Sequence, residues 1–335
     1  MNDKVGNTEV RECDGYTKVG VGKIAMAALP VGLLAAMGLV FLWCSEGHPG
    51  MLGGHWEFKR QLFYNVIGLS AFCMPLLIGW TRWLRFAPAM MAVWLALFAA
   101  SKFCPQDGGG YFIFLGPIRL DILGILPFTL AMLLAWIANR FRFRAVRMLL
   151  VVGVSMLLVM TARVATNANR MSRVAAWFSG DPPSKYLAEN DSSLARSWAQ
   201  KTRVEAVEAS HWFAANKAYL RDNPLPGRLS SAMPASAMLT FGKWFLLFVG
   251  AAFGFLGWCF ARAWLATTDQ GKKAFLAVAG LGIFTPALLG ICECLGLTPM
   301  LYTCVPLVSY GGTATMMAWL IAGTLASLWR AETGS

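Results

Sequence analysis

Eight runs of apolar residues, separated by short polar breaks and one long one, organise this chain. They cover 24–43, 62–80, 86–101, 120–138, 148–162, 240–261, 274–293 and 313–329. A helix rising 1.5 Å per residue needs roughly 20 apolar residues to cross a hydrocarbon core of about 30 Å. The pattern therefore predicts an all-α polytopic membrane bundle of about eight transmembrane helices, with 86–101 and 148–162 the shortest. Pro30, Pro75, Pro127 and Pro286 fall inside runs, where a membrane helix tolerates proline and usually kinks.

The polar breaks divide the chain further. Residues 1–23 form a polar N-terminal tail, 24–162 a first group of about five spans, 163–239 a large polar loop, and 240–330 a last group of about three spans. Within the large loop, the stretch from Ser193 to Arg221 mixes Ala, Leu and Trp with charges and reads as an amphipathic helix. Asn223-Pro224-Leu225-Pro226-Gly227 then breaks it. The loop is either a surface cap or an interfacial element that binds substrate or partner.

Composition agrees with the pattern. The 335 residues are 57% hydrophobic and 14% charged, against about 25% charged in a soluble domain. The net charge of +12 does not point to nucleic acid, because the basic residues sit in short loops beside apolar runs. With an inside N-terminus, the inner segments hold fourteen Lys and Arg and the short outer loops four, namely Lys59, Arg60, Lys102 and Arg119. That bias places both termini in the cytoplasm and the 163–239 loop outside. Such flanks also meet membrane lipid headgroups. The eight Cys form no CxxC pair and only three His are present, so a zinc site is not expected. No signal peptide is expected ahead of the first run, which is long enough to be a retained span.

One segment breaks the rule that backbone at membrane depth is helical. Residues 299–312 read Pro-Met-Leu-Tyr-Thr-Cys-Val-Pro-Leu-Val-Ser-Tyr-Gly-Gly. Pro299, Pro306, Gly311 and Gly312 do not continue a helix comfortably. The sequence predicts a re-entrant loop over 298–312, enclosed by protein or lining a wet cavity.

That segment, and others in the same order, resemble the SEDS (shape, elongation, division and sporulation) family of the RodA and FtsW type. Lys59-Arg60-Gln61 opens the second span as a Lys-Arg-Gln triplet does there. The stretch from Gly109 to Arg119 is similar to the family's Gly-x-x-x-Trp-Ile-x-Leu-Gly loop. Arg170-Met171-Ser172-Arg173, Gln200 and Phe253-Gly254-Phe255-Leu256-Gly257 match family segments, as does Pro306-Leu307-Val308-Ser309-Tyr310-Gly311-Gly312. The resemblance covers roughly residues 55–330. It implies a bacterial inner-membrane protein of cell division, elongation or cell shape. It also implies a glycosyltransferase that polymerises lipid II, an undecaprenyl-diphosphate glycolipid, beside a single-span transpeptidase (penicillin-binding protein). Family members usually have ten spans, so a count of eight implies one hairpin fewer between 139 and 170.

The resemblance departs at the chemistry. Glycosyl transfer from a lipid diphosphate needs a carboxylate to take the acceptor proton, cations for the departing diphosphate, and a groove that aligns the sugars. The family's proposed base, an Asp, falls on Lys243 in a gap-free count, and no acidic residue lies between Asp222 and Asp269. The family's Gln-Pro-Ser-Glu reads Leu120-Asp121-Ile122-Leu123. The remaining catalytic candidates are Glu293, in an otherwise apolar run, and Asp121, near a span start.

Arg60, Arg119, Arg173 and Lys243 are candidates to bind the lipid diphosphate, since Arg offers it a bidentate fork. The alternatives are headgroup contact for the arginines and, for Lys243, snorkelling from about one turn inside its span. Gln200, Pro299, Pro306, Ser309, Tyr310, Gly311 and Gly312 are the substrate-loop candidates. For the two glycines, helix packing is an equal alternative. No cofactor is expected beyond a divalent cation that can accompany the diphosphate. Two other functions stay open: a catalytically silent scaffold for a transpeptidase or another envelope complex, and a flippase for lipid-linked precursors.

Overall fold

The computed structural model describes residues 6–46, 56–101, 112–115, 118–141, 201–222, 225, 229–298 and 303–331. The ten helices labelled here are α1 (Gly6–Glu46), α2 (Trp56–Ile78), α3 (Trp80–Arg85), α4 (Ala87–Ser101), α5 (Ile122–Phe141), α6 (Lys217–Asp222), α7 (Met233–Phe241), α8 (Trp244–Ala266), α9 (Gln270–Cys294) and α10 (Gly312–Ala331). Residues 201–209 are also helical. Five helical segments are long and apolar enough to cross a membrane: Gly22–Ser45, Trp56–Ile78, Ile122–Phe141, Trp244–Ala266 and Gln270–Cys294. The protein is an all-α polytopic membrane bundle. The expected span 148–162 lies outside the described residues. α4 has 15 residues, fewer than the roughly 20 that a straight crossing needs.

The bundle is built around α10. Its residues 312–331 carry Thr313, Thr315, Thr324 and Ser327, all buried. A helix enclosed by other helices needs no lipid-compatible surface, so α10 can carry these hydroxyls inward. In lipid, helices gain little from burying apolar area against one another, so packing and interhelical hydrogen bonds decide which faces meet. The α2–α10 contact follows that logic. Gly312 lies against the Tyr64 ring, Gly68 against Trp319, and Gly323 against the backbone of Phe72. The Gln61 amide donates to Thr315 Oγ1 at 2.7 Å and accepts from Gly311 N at 3.3 Å. Trp319 Nε1 donates to Asn65 Oδ1 at 2.9 Å.

Three local features differ from the sequence-based expectation. The chain forms one antiparallel hairpin, β1 (Phe112–Leu115) with β2 (Ile118–Asp121), pairing Phe112 with Asp121 and Leu115 with Ile118. Leu120 and Asp121, expected inside the 120–138 span, therefore belong to the hairpin, and the helix starts at Ile122. The break is enforced by Asp121, whose Oδ1 accepts from Leu123 N at 3.1 Å as a helix N-cap.

The expected amphipathic helix 193–221 is interrupted within its described part by residues 210–216. There Ser210 Oγ donates to the Val207 carbonyl, and Asn216 Oδ1 accepts from Tyr219 N to start α6. The expected 240–261 span is split at Gly242, whose φ of +98° suits glycine. Residues 240–241 close α7, and Lys243 caps α8 from outside rather than lying a turn within it.

The described residues of 201–241 pack against the C-terminal end of α9 at Cys294. Ala206, Leu220, Leu225, Ala235, Leu239 and Cys294 form a small separate core there. Fully buried Arg203 donates to Ser231 Oγ at 2.8 Å.

The 303–311 stretch is enclosed by protein. Val305, Leu307, Val308 and Ser309 are buried. The loop apex sits on α1 at Gly38, where an added Cβ would strike the carbonyls of Leu307 and Val308. Leu307 adopts φ +69°, a conformation that a branched side chain takes only when its surroundings impose it. Three interactions impose it here. Val305 N donates to Ser309 Oγ at 3.0 Å, Ser309 N to the Val305 carbonyl at 3.0 Å, and Tyr310 N to the Leu229 carbonyl at 2.7 Å.

Two predictions follow from these contacts. Gly38→Ala and Gly323→Ala each drive a methyl group into backbone, so each should destabilise by about 1–3 kcal/mol. Gly250→Ala, with nothing within 4 Å of its Cβ, should not; thermal unfolding of the three variants in detergent checks this. Glu293 accepts from Thr303 N with both oxygens, at 3.2 and 3.1 Å. Glu293→Ala should therefore speed amide exchange at Thr303 about ten- to a hundred-fold, the equivalent of losing a charge-assisted hydrogen bond of roughly 1.5–3 kcal/mol. Unchanged exchange would show that the strut carries no load.

Candidate functional site

The N-terminal ends of α2, α5 and α10 and the 303–311 loop meet at one end of the bundle around a cavity of about 500 Å³. Its mouth is polar, with Arg60, Tyr64, Asp121, Thr303, Tyr310 and Thr313 in its walls. Its floor is apolar, built from Pro127 and Phe128 of α5, Ile283, Pro286 and Leu289 of α9, and Met317 and Ile321 of α10. This volume is within the range of small-molecule sites. A polar mouth over an apolar slot suits an amphiphile with a charged head.

Each polar group is held from its own backbone upward. Gln61 is pinned to α10, and that fixes the rotation of α2, so Arg60 and Tyr64 one turn later share the cavity face. Arg60 Nη2 donates to Tyr64 Oη at 3.4 Å. Its guanidinium lies 5.9 Å from the Trp56 ring and 5.8 Å from the Tyr310 ring. Two aromatic faces thus hold the cation at the mouth by cation–π attraction, which grows as water is excluded.

Asp121 is fixed twice, by its N-cap bond and by its own N–H donating to Thr313 Oγ1 at 2.8 Å. Its second carboxylate oxygen lies over Gly124, which also lines the cavity. The Trp94 indole donates to the Ile122 carbonyl at 2.8 Å and holds the start of α5 against α4. Among the described residues in the cavity walls, Asp121 is the one carboxylate and Arg60 the one cation.

The structure brings together Arg60, Asp121, Pro306, Tyr310, Gly311 and Gly312 from the residues the sequence singled out. It does not bring Glu293 or Lys243 into the walls. Glu293 is fully buried with its carboxylate on Thr303 N. Lys243 Nζ lies 6.0 Å from the Trp212 ring. Ser309 is buried behind the wall, and its hydroxyl accepts from Val305 N. Arg173, Gln200 and Pro299 lie outside the described residues, as does the side chain of Arg119, whose backbone pairs with Phe114. Tyr64, Thr303 and Thr313 are wall residues that sequence reasoning missed. Tyr64 alone carried a signal, its place four residues after Arg60 on a helix. Thr303 and Thr313 enter through loop geometry that no local pattern reveals.

Among the described residues, no three of His, Cys, Asp and Glu come together as a metal site. No family model and no curated protein matches the chain. Solved structures do. A chain of a peptidoglycan synthase complex, studied for the coordination of polymerization and crosslinking, aligns with a TM-score of 0.66 at 16% identity. That alignment covers 91% of this chain and 97% of the other. The rod shape determining protein RodA of Thermus thermophilus aligns with a TM-score of 0.60 at 17% identity, covering 91% of this chain and 96% of RodA. A variant of that RodA with one Asp replaced by Ala gives the same score and identity and covers 97% of that chain. Over nine-tenths of its length, then, the chain has the fold of RodA.

Proposed function

We propose that this protein binds lipid II, or a similar polyprenyl-diphosphate-linked sugar, with the diphosphate at the cavity mouth and the first isoprene units in the slot below. The observation that carries the reading is the juxtaposition of Arg60 and Asp121 at one polar mouth above an apolar floor, in a bundle with the fold of RodA. On this reading the mouth faces outward, which the Lys and Arg bias supports, in the bacterial inner membrane that the resemblance implies.

On this reading Arg60, braced by Trp56 and Tyr310, neutralises charge as the diphosphate departs. Asp121 takes the proton from the acceptor hydroxyl as its oxygen attacks the anomeric carbon. The bond from that carbon to the diphosphate oxygen breaks, and its electron pair leaves with the polyprenyl diphosphate. A divalent cation arriving with the substrate would be held by the diphosphate oxygens, leaving the Asp121 carboxylate free for the proton. Lys243, which stands where the resemblance expects the catalytic Asp, takes no part. Glu293 and Ser309 act by holding the 303–311 loop in shape.

One observation favours a second reading. Lys243 stands away from the cavity at the position where the resemblance expects the catalytic Asp, as a scaffold without activity would allow. Such a protein would bind the glycolipid, or a transpeptidase partner, and transfer nothing.

Purified protein, lipid II and Mg²⁺ in nanodiscs separate the two. The first reading expects glycan chains on a gel. Asp121→Asn, which keeps the N-cap, should lower their rate about 10²–10⁴-fold while lipid II still binds. Arg60→Gln should weaken lipid II binding itself. Binding without chains, with or without a transpeptidase, favours the scaffold; absence of lipid II binding sinks the first reading and leaves only a scaffold that holds a transpeptidase.

A further inference from the structure

Lys243 sits at the N-terminus of α8, where a helix dipole disfavours a cation, and outside the cavity whose charge would have used it. Its surroundings give another reason for a lysine here. The turn at residues 210–213 carries Trp212 and Phe213, 58% and 84% exposed. It is tied to the first residues of α8 through backbone alone. Lys243 N donates to the His211 carbonyl at 2.9 Å, and Trp244 N to the Trp212 carbonyl at 3.3 Å. Gly242 permits the approach, since a Cβ there would lie 2.6 Å from the Trp212 carbonyl oxygen. The two exposed rings are thereby held at the level where a segment long and apolar enough to cross a membrane begins.

The patch continues down that segment. Trp244 and Phe248 meet edge to face at 5.2 Å, and Leu247 and Phe248 are about 60% exposed, at 63% and 59%. Trp258 and Leu265 of α8 are exposed as well, at 43% and 81%. Lys243 Nζ lies over the Trp212 ring, 6.0 Å from its centroid. Aromatic rings beneath a snorkelling lysine are the chemistry of the bilayer's interfacial layer.

We infer that residues 210–213, with Lys243, form a membrane-interface anchor. Trp212 and Phe213 insert among the headgroup-proximal acyl carbons, and Lys243 meets a phospholipid phosphate. The anchor fixes the depth of the 201–241 segment relative to the bilayer, independently of what the cavity binds.

The test uses the full chain in nanodiscs of phosphatidylethanolamine and phosphatidylglycerol, with the photoreactive residue p-benzoylphenylalanine replacing Phe213. The variant is first matched to the unsubstituted protein in thermal unfolding. Irradiation should add the mass of one phospholipid, mapped to position 213. The same photoreactive residue at exposed Glu208 should give none. Lys243→Gln in the Phe213-substituted protein should shift the adducts from phosphatidylglycerol towards phosphatidylethanolamine. Lipid adducts absent at 213, equal at 208 and 213, or replaced by crosslinks to protein would overturn the anchor. So would an adduct ratio untouched by Lys243→Gln.

Discussion

One buried amide sets the geometry of this molecule. Gln61 is 1% exposed and bridges the first turn of α10 through Thr315 and the residue before it through Gly311. Nothing in a lipid environment would otherwise choose this face of α2, because hydrocarbon solvates any apolar face equally well. With Gln61 facing α10, its neighbours have no freedom. Asn65 must meet Trp319, Gly68 must pass beneath the same ring, and Arg60 and Tyr64 must face the adjoining space. The polar mouth of the cavity is therefore a consequence of helix packing rather than an addition to it.

The second constraint is irregular backbone at depth. The 303–311 loop abandons helical hydrogen bonding, and each buried group it exposes costs free energy unless a partner is found. Glu293 takes the Thr303 N–H, Ser309 the Val305 N–H, and Leu229 the Tyr310 N–H. The loop can then hold Leu307 in a left-handed conformation against Gly38. A carboxylate that looks catalytic in sequence thus acts as a strut, and the loop it supports forms one wall of the cavity.

Much of the fold was legible because hydrophobic run length is a direct consequence of bilayer thickness. Four internal prolines were rightly kept inside helices. The failures share a cause. Lys243 was read as intramembrane because Met233–Phe241 and Trp244–Ala266 are both apolar, and only the conformation of Gly242 separates them. The hairpin before α5 was missed because Phe112–Leu115 and Ile118–Asp121 are too short for an alternating pattern to stand out. The site was half legible. Residues with local signatures, Arg60 together with Pro306, Tyr310, Gly311 and Gly312, do line one cavity. Glu293 marks the limit, because a buried carboxylate on a backbone N–H and one aimed at a substrate look identical in sequence.

On the proposed reading, one charged-mouthed, apolar-floored cavity receives a polyprenyl diphosphate. A photoreactive polyprenyl diphosphate, crosslinked to the protein in nanodiscs and mapped by peptide mass spectrometry, tests it most directly. The account predicts adducts on the N-terminal turns of α2 and α5 and on residues 303–312, competed away by unlabelled polyprenyl diphosphate. Adducts spread over the lipid-facing helix surfaces and indifferent to competitor would contradict it.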